Sequence, residues 1–555
     1  MIETVTTEVG VTKGAEGKDA GAGTAGRYTV VVADRVSPSG LGSLLEDDRF
    51  EVLLAHDWEP GRVEEALARA HGLVVRSGTR VTRRLLGRAP VLEVVGRAGV
   101  GVDNIDLEAA TERGVAVLNA PAGNTVSAAE LAMALVLSTV RRIPEADRTI
   151  REGRWERSRF AGVELRGKTL GLVGAGRIGG EVARRARAFG MVVVVHDPWL
   201  TDERADDLGV ARMELDALLG RADVVSLHVP LTDETRGMID ADRIGRMKAG
   251  AFLVNASRGG VVDEHALARA LVDGRLGGAA LDVYAEEPLP EDSPLRAAPG
   301  LVLTPHLGAS TAEAQKLVAE EIAGAVRDAL LQGDLSRALN APRIGGEALR
   351  RLRPVFELGE RIGRLAAVLS TGGSRGVEVR YHGVADEAVK PLASHALKGF
   401  LGVILGADQV NFVNAPHLAR ARGIGLATHH LARRTDYTEF VEVLVAAEGG
   451  RVRVAGALLG EGHPRIVRID EYHVDITPRG SLVVLRNRDV PGVIGRVGTL
   501  LGSLRLNIAE YHQARLSEGG EALAVVAVDG AVGREVVTAL EALDEVLEAR
   551  SVNLR

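Results

Sequence analysis

The sequence predicts an α/β protein in which two lobes with mainly parallel sheets precede two α+β domains. Short apolar runs alternate with helical stretches through residues 28–335, the pattern of parallel strands joined by helices. One long helical pattern, from Thr125 to Glu152, interrupts that series and predicts a crossing between the lobes. The segment 480–555 instead reads strand, turn, helix, strand, strand, helix, which is typical of a compact α+β domain.

Composition excludes several functional classes. The chain has 555 residues, 46% of them hydrophobic, which is enough for the cores of three or four domains. It contains no cysteine, which rules out disulfides and thiolate chemistry and suits a reducing compartment. We therefore expect a cytoplasmic protein and predict no metal site. No apolar run approaches the ~18 residues of a membrane span, so a membrane is not an expected partner.

The charge distribution is mildly acidic. Lysine and arginine total 68 against 75 acidic residues, a formal net charge of −7, and no basic block stands out. Nucleic acid is therefore not an expected partner. An acidic chain that binds an anion needs a local cationic pocket, which makes arginines near a predicted site informative. Residues 1–27 lack the apolar centre of a signal peptide and predict a disordered tail.

The two lobes follow from the spacing of the apolar runs. Residues 28–122 predict a first, substrate-binding lobe of five strands, completed by the helix at 307–335 after His306. Residues 123–306 predict a second lobe of six strands, and two crossings between the lobes predict a hinged pair with a cleft. The runs are YTVVVAD, FEVLLAH, GLVVRSG, LEVVGRAG and VAVLNAP, then KTLGLVGAG, MVVVVHD, DVVSLHV, AFLVNAS, GAALDVY and LVLTPH.

The remaining chain predicts two further domains. Beyond an LNAPRIGG linker, residues 340–475 contain β-rich and helical patches and predict an intervening α+β domain without a catalytic signature. Residues 480–555 form the compact α+β domain, with a Pro-Gly turn between its first strand and first helix.

A dinucleotide fingerprint, GxGxxG, follows the first strand of the second lobe at Gly174, Gly176 and Gly179. These glycines allow a tight turn and a close backbone approach to a pyrophosphate, as in a Rossmann-like sheet. Asp197 ends the next strand and would accept hydrogen bonds from the adenine ribose hydroxyls, which favours NAD over NADP. The alternatives are a glycine turn without a ligand and an aspartate that only caps its strand.

Four polar residues follow successive apolar runs of the second lobe: Arg258, Asp282, Glu287 and His306. Ligands of an open parallel sheet bind beyond the carboxyl ends of its strands, so we expect these side chains on one rim beside a nicotinamide. A histidine exchanges a proton near neutral pH, which interconversion of an alcohol and a ketone requires. Each residue taken singly could be structural, but the set in this order predicts hydride transfer.

The order of these motifs resembles the D-2-hydroxyacid dehydrogenase superfamily and, within it, the long form of the D-3-phosphoglycerate dehydrogenase family. The C-terminal segment is similar to an ACT domain, and the stretch before it to the extra regulatory domain of the long form. The resemblance implies NAD-dependent oxidation of 3-phospho-D-glycerate to 3-phosphooxypyruvate, the first step of L-serine biosynthesis. The strings that carry it include VVRSGTR, VVGRAGVGVDNID, NAPAGNTVSAAELA, GLVGAGRIGG, HVPLT, LVNASRGGVVDE, ALDVYAEEP and TPHLGAST.

The resemblance assigns roles to the catalytic and cofactor residues. His306 is expected to be the acid/base, with Glu287 hydrogen-bonded to one ring nitrogen and Arg258 bound to the substrate carboxylate. Arg177 and Ile178 are expected at the pyrophosphate. The other expected cofactor contacts are Val100, Val229, Pro230, Ala256, Asp282 at the nicotinamide carboxamide, His306 and Gly308.

The substrate residues come from the first lobe by the same resemblance. Arg76, Ser77 and Asn124 are expected to meet the substrate, together with the backbone of the segment 98–100. Arg157 is a candidate for the phosphate in a neighbouring subunit's cleft, where Trp155 would anchor the contact, or else it is an ordinary surface residue. A structural role is expected for Arg97.

The C-terminal domain is expected to regulate the enzyme. Asp489 would receive the ammonium group of an amino-acid effector, and Asn507 of the facing subunit would bind both ends of that effector, with Asn487 as a weaker member. The resemblance implies L-serine as effector and a homotetramer; the alternative is a dimerising module without a ligand.

Two other functions fit the same motifs. One is a different D-2-hydroxyacid dehydrogenase, such as a hydroxypyruvate reductase, which phosphorylated and unphosphorylated substrates would distinguish. The other is an NAD-sensing binding protein of the same fold, which would not turn substrate over.

Overall fold

The fold is described from a computed structural model that covers residues 27–383, 385–431, 437–460 and 462–554. The predicted tail at 1–27 lies outside these residues except for Arg27. The predicted fold class is confirmed: two parallel sheets are followed by one mixed and one antiparallel sheet.

A parallel sheet of five strands forms the first lobe. Its elements are β1 (Tyr28–Val32), α1 (Gly42–Leu45), β2 (Phe50–Leu54), α2 (Pro60–Leu67), β3 (Gly72–Val75), α3 (Arg83–Gly87), β4 (Val94–Arg97), α4 (Leu107–Glu112) and β5 (Ala116–Asn119). The strand order is β2-β1-β3-β4-β5. Each of the five predicted apolar runs contains one strand, because buried parallel strands are apolar on both faces.

The connection to the second lobe differs from the predicted single helix over Thr125–Glu152. Two helices are present, α5 (Thr125–Val140) and α6 (Ile143–Arg151). They meet at Arg142, whose φ of 51° is left-handed. Pro144 lies in the first turn of α6, and its ring, which lacks an N–H, would clash with a preceding helical turn. The helix therefore ends and restarts instead of running through.

A second parallel sheet, of seven strands, forms the second lobe. Its elements are β6 (Thr169–Val173), α7 (Arg177–Ala188), β7 (Val192–His196), α8 (Asp202–Leu208), β8 (Ala211–Arg212), α9 (Leu215–Arg221), β9 (Val224–Leu227), α10 (Ala241–Arg246), β10 (Phe252–Asn255), α11 (Glu264–Val272), β11 (Gly278–Leu281) and β12 (Leu301–Leu303). The order is β12-β11-β10-β9-β6-β7-β8. Strand order reverses between β6 and β9, where a crevice opens beyond the carboxyl ends. The two-residue edge strand β8 was not predicted.

The helix α12 (Ala312–Gln332) returns to the first lobe, as predicted. Its buried face contributes Ile322 and Val326 to the core that contains Val30 and Val94. The site between the lobes is therefore bounded by two chain crossings.

The intervening domain has a six-stranded sheet covered by two long helices. Its elements are α13 (Gly346–Leu369), β13 (Ser374–His382), α14 (Val389–Leu405), α15 (Ala415–Ala421), β14 (Gly425–His430), β15 (Glu439–Ala447), β16 (Gly450–Leu459), β17 (His463–Ile469) and β18 (Tyr472–Ile476). The stretch Asp386–Leu405 is long and apolar enough to cross a membrane, with a mean hydropathy of 1.2 over 18 residues, but 61% of those 18 residues are buried. Leu392, Leu397 and Phe400 are fully buried there, as in a core helix.

The C-terminal domain is a four-stranded antiparallel sheet with two helices. Its elements are β19 (Ser481–Arg488), α16 (Val493–Ser503), β20 (Ile508–Arg515), β21 (Glu521–Val528), α17 (Arg534–Glu541) and β22 (Val546–Asn553), in the order β20-β21-β19-β22. The predicted pattern lacked β22, whose mixed sequence becomes a strand by pairing along β19. Leu482 and Leu523 join the core that holds Phe356 and Leu392, so this core extends across the last two domains. The other face of the sheet packs in a separate core of the C-terminal domain, which contains Leu485 and Val526.

Candidate active site

A cavity of about 1080 Å³ lies between the first two lobes. Its walls are loops that follow β3, β4 and β5 of the first lobe and β6, β9, β10, β11 and β12 of the second. The predicted residues that line it are Arg76, Ser77, Ala98, Val100, Asn124, Gly176, Arg177, Ile178, Val229, Pro230, Ala256, Arg258, Asp282, Glu287, His306 and Gly308. The carboxyl ends of the parallel strands therefore bring together residues that are far apart in the sequence.

His306 and Glu287 form a direct pair in the cavity wall. His306 Nδ1 lies 2.8 Å from Glu287 Oε2, and Glu287 Oε1 accepts a hydrogen bond from the Tyr284 N–H at 3.2 Å. Burial would raise the pKa of Glu287, but these hydrogen bonds and the charges of His306 and Arg258 lower it below its ordinary value. Glu287 is thus ionised at neutral pH and can hold the imidazole ring in one orientation.

Asp282 is fully buried and holds the loop that carries His306. Its Oδ1 accepts hydrogen bonds from Thr304 Oγ1 at 2.6 Å and from the Leu307 N–H at 2.7 Å, and its Oδ2 accepts one from the Gly308 N–H at 3.0 Å. His306 has a φ of 54°, which residues other than glycine rarely adopt. The three hydrogen bonds to Asp282 explain how the loop keeps this backbone conformation.

Arg258 spans the cleft. Its Nε donates to Asp103 Oδ2 of the first lobe at 2.9 Å, and its Nη1 donates to the Ser257 carbonyl at 2.7 Å. The guanidinium is thus fixed on the rim, facing the cavity beside Glu287 and His306. A planar guanidinium in this position can bind a carboxylate through two hydrogen bonds.

Arg97, for which a structural role was expected, lies in the cavity wall; that role stays a prediction. Its buried Nε has no hydrogen-bond partner among the residues that the structure describes. Burial and then repulsion by Arg258 lower the pKa of Arg97 to about 10. Asn124 Oδ1, also in this wall, is likewise buried without a partner within the described part of the chain. Arg97 and Arg76 give this wall a positive charge, which a bound anion would neutralise.

The glycine-rich turn fits a dinucleotide. Gly174 has a φ of 94° and lies so close to the His228 carbonyl that a side chain does not fit. A Cβ at Gly179 would overlap the Gly174 carbonyl, so this glycine allows the helix to pack on the turn. Gly176 caps α7 and faces the cavity, and nothing lies within 4 Å of the Cβ position. The helix N-terminus is therefore open to a pyrophosphate.

Asp197 lies beside this turn at the end of β7. Its Oδ2 accepts a hydrogen bond from the Ala175 N–H at 2.8 Å, and its Oδ1 accepts one from the Trp199 N–H at 2.9 Å. The carboxylate is therefore fixed next to the glycine turn, where an adenine ribose would lie. Gly176 lines the cavity. Gly174, Gly179 and Asp197 are not among the lining residues but form or fix the turn beside it.

His228 is a cavity residue that sequence reasoning missed. Its Nε2 lies 2.9 Å from Ser226 Oγ, and burial lowers the pKa of His228 to about 4, so the ring is neutral at pH 7. It directly precedes the predicted contacts Val229 and Pro230, and that adjacency was the one available signal.

Arg157 does not line the cavity of its own chain. It begins a short 3₁₀ helix on the surface, at Arg157–Phe160, and Trp155 nearby is 84% exposed. Within one chain the structure therefore does not bring Arg157 to the other predicted substrate residues.

The three effector candidates are also separated. Asp489 pairs with one end of β21, where its N–H donates to the Gly520 carbonyl, while Asn507 pairs with Asp529 at the other end. Nine extended residues at about 3.3 Å each put the two candidates roughly 30 Å apart. Asp489 already accepts a hydrogen bond from Arg515 at 3.1 Å.

Asn487 is buried between these positions. Its Nδ2 donates to the Arg488 carbonyl at 2.9 Å, and its Oδ1 has no partner among the described residues. Within one chain, the structure therefore does not bring Asp489 and Asn507 together.

Comparison with known proteins identifies the family. Residues 133–308 match the family model for the D-isomer specific 2-hydroxyacid dehydrogenase, NAD binding domain, and residues 351–470 match the D-3-phosphoglycerate dehydrogenase intervening domain. Among solved structures, the TT0316 protein from Thermus thermophilus is 38% identical, with a TM-score of 0.52 over 56% of this chain and 100% of that chain. A glyoxylate reductase from Paecilomyes thermophila is 30% identical, with a TM-score of 0.51 over 56% of this chain and 98% of that chain.

Relatives that match nearly the whole chain share one name. The D-3-phosphoglycerate dehydrogenase of Synechocystis is 37% identical over 95% of this chain and 94% of its own length. That of Archaeoglobus fulgidus is 39% identical over 95% and 100%, and that of Mycobacterium tuberculosis 41% over 95% and 99%. The chain therefore belongs to the D-3-phosphoglycerate dehydrogenase family and is an NAD-dependent oxidoreductase.

Proposed function

We propose that this chain oxidises 3-phospho-D-glycerate to 3-phosphooxypyruvate with NAD, the first step of L-serine biosynthesis. The observation that carries the proposal is the 2.8 Å pair of His306 and Glu287 beside Arg258, in a cavity whose opposite wall is cationic. The full-length similarity to enzymes of that name supports the same substrate.

His306 is proposed as the general base. Its Nδ1 is hydrogen-bonded to Glu287, which leaves Nε2 to accept the proton of the substrate 2-hydroxyl. As that proton is transferred, the C–O bond gains double-bond character and the hydrogen on C2 leaves with its electron pair. NAD bound at the glycine turn of Gly174, Gly176 and Gly179 would supply the acceptor of that hydride. Glu287 balances the positive charge that develops on the ring, and its lowered pKa keeps it ionised for this purpose.

The arginines are proposed to bind the two anionic ends of the substrate. Arg258 is assigned to the carboxylate, since it faces the cavity next to His306. Arg76, Arg97 and the loop residues Ser77 and Asn124 are assigned to the remainder of the substrate. The unpaired Nε of Arg97 supports its inclusion, because an anion would satisfy a buried donor that lacks a partner within the described residues.

A spectrophotometric NADH assay with a panel of 2-hydroxyacids tests the proposal. We expect turnover of 3-phospho-D-glycerate with a kcat/KM at least about 100-fold above that of unphosphorylated D-glycerate, because loss of a charged hydrogen-bonded group removes ~1.5–3 kcal/mol per contact. Equal use of both substrates would favour a hydroxypyruvate reductase. NAD binding without turnover of any acid would favour a sensor protein.

We also propose L-serine feedback through Asp489 and Asn507, in a homotetramer located in the cytoplasm. The roughly 30 Å between these residues in one chain supports a site shared by two copies. Arg157 and Trp155 are proposed to act at another subunit contact, since both are exposed here. The proposed domains are 28–122 with 307–335, 123–306, 340–475 and 480–555.

A further inference from the structure

We propose that Asp34 and Asn104 are positioning residues for substrate binding. Together they hold the loop of residues 76–79, which carries Arg76 and Ser77 into the cleft. This inference rests on the proposed function and extends it to two residues that do not line the cavity.

Asp34 binds both ends of the loop. The residue lies shortly after β1, and its Oδ2 accepts hydrogen bonds from the Arg76 N–H at 2.6 Å and the Thr79 N–H at 3.1 Å. Its Oδ1 accepts a third from Thr79 Oγ1 at 2.8 Å. One carboxylate therefore satisfies two backbone donors and one hydroxyl at the end of β3.

Asn104 forms hydrogen bonds to the same two residues of the loop. Its Nδ2 donates to the Arg76 carbonyl and to the Thr79 carbonyl, each at 2.6 Å. Both hydrogens of one amide are thus used on the loop. The backbone of Asn104 is itself fixed, because its carbonyl accepts from the Val81 N–H at 2.8 Å.

Gly78 shows how tightly the loop closes around Asp34. A Cβ added at Gly78 would lie 2.9 Å from Asp34 Oδ1, and Gly78 itself lines the cavity. The loop therefore has a carboxylate on its inner side and the cleft on its outer side. Since five hydrogen bonds converge on Arg76 and Thr79, their loss should release Arg76 and Ser77 from the binding geometry.

The test compares Asn104→Asp and Asp34→Asn with a control, Asp57→Asn. Asn104→Asp removes both donors and puts a carboxylate against two carbonyl oxygens; Asp34→Asn leaves only one acceptor oxygen. Asp57 is in the same lobe but 66% exposed and paired only at the surface. We expect the KM for 3-phospho-D-glycerate to rise about tenfold or more in both loop variants, with kcat within about threefold.

NADH binding, measured by fluorescence, is expected to be unchanged in all three variants, because the contacts lie in the first lobe only. A merely structural role would instead lower the fraction of active enzyme, and hence kcat, at constant KM. If Asn104→Asp fails to fold, Asp34→Asn supplies the same comparison.

A double-mutant cycle shows whether the effect passes through the loop. In an Arg76→Ala, Ser77→Ala background, Asn104→Asp should change KM less than about twofold, because residues that act together are not additive. Additive effects, or an unchanged KM in both loop variants, would overturn the inference. A wild-type enzyme that does not turn over 3-phospho-D-glycerate refutes the proposed function instead, and this inference with it.

Discussion

The cleft between the first two lobes and the C-terminal domain arrange their predicted ligand-binding residues in opposite ways. In the cleft, loops after eight strands converge, and one chain supplies His306, Glu287 and Arg258 together. In the C-terminal domain, Asp489 and Asn507 lie at opposite ends of β21, and no single chain joins them. In the cleft, the residues follow the carboxyl ends of parallel strands, which all lie at one edge of a sheet. In the C-terminal domain, β19 and β20 run in the same direction, but Asp489 follows the end of β19 whereas Asn507 precedes the start of β20.

Catalysis and the proposed regulation therefore differ in whether they need a second chain. The proposed catalytic set lies within one chain, apart from the proposed contribution of Arg157, so a single subunit holds the proposed acid/base pair. The proposed effector site exists only where two chains meet, so its occupancy depends on assembly. Effector binding can then alter the cleft through subunit or domain movement, which is the usual route of allosteric coupling.

The largest effect is expected for His306→Ala, which tests whether the cleft is the catalytic unit. Loss of a general base typically lowers kcat by ~10²–10⁴-fold. NADH binding should be retained, because the glycine turn and Asp197 are untouched. Stopped-flow or steady-state NADH absorbance measures the rate, and His265→Ala, an exposed residue of α11, is the control. Near-normal turnover in His306→Ala would contradict the role of His306 as general base.

The next effect is a pH-dependent loss of stability for Glu360→Gln in the C-terminal half. Burial would raise the pKa of Glu360, but His395 and Lys398, the latter at 2.9 Å, lower it from 4.5 to about 2. A depressed pKa stabilises the fold above pH 4.5, and this contribution is lost as the pH falls towards 2. The variant should lose at most roughly 3 kcal/mol at pH 7.

Urea unfolding at pH 7 and pH 3 measures this loss, which should shrink at the lower pH. Glu357→Gln, on the same helix and paired only with the exposed Arg353, is the control. The catalytic constants at pH 7 should stay at wild-type values in the folded variant. A loss of stability that is equal at both pH values would contradict the assigned charge of Glu360.

Serine sensitivity should fall in Asp489→Ala and in Asn507→Ala, with basal activity intact. A lost hydrogen bond to a charged group of the effector is worth ~1.5–3 kcal/mol, so the inhibition constant should rise ~10–150-fold. Titration of serine in the NADH assay measures it, and Glu518→Ala, 88% exposed near Arg515, is the control.

Co-assembly of the two variants sharpens this test. A mixed dimer of Asp489→Ala and Asn507→Ala chains regains one intact shared site, because one chain keeps Asp489 and the other keeps Asn507. Partial recovery of serine inhibition is expected in the mixture. If calorimetry shows that the wild-type enzyme does not bind serine, the proposed regulation by serine is wrong.

The smallest effect concerns cofactor choice. Asp197→Asn removes the charge that repels a 2′-phosphate while keeping one acceptor for the Ala175 or Trp199 N–H. The ratio of kcat/KM for NADP over NAD should rise about tenfold, and further in Asp197→Ala. Asp202→Asn, 90% exposed in the same lobe, is the control. A wild-type preference for NADP would contradict the assignment.

The sequence by itself predicted the strands of both parallel sheets except β8, the glycine turn and the order of Arg258, Glu287 and His306. These are local properties: buried parallel strands are continuous apolar runs, and a turn motif is read within a few residues. The break between α5 and α6 was also readable, since Pro144 lies inside the predicted helix. The prediction of a single helix was wrong there because the helical pattern of the sequence continues across Pro144.

Only the tertiary structure decided which side chains have partners. Three features show this. Arg97 Nε is buried without a partner in the described part of the chain. The hydrogen bonds of Asp282, and those of Asp34 and Asn104 to their loop, join residues of separate loops and strands. The same holds for the distance between Asp489 and Asn507, which depends on which end of its strand each residue adjoins. Sequence patterns encode which residues are buried, but pairing depends on the path of the chain between them.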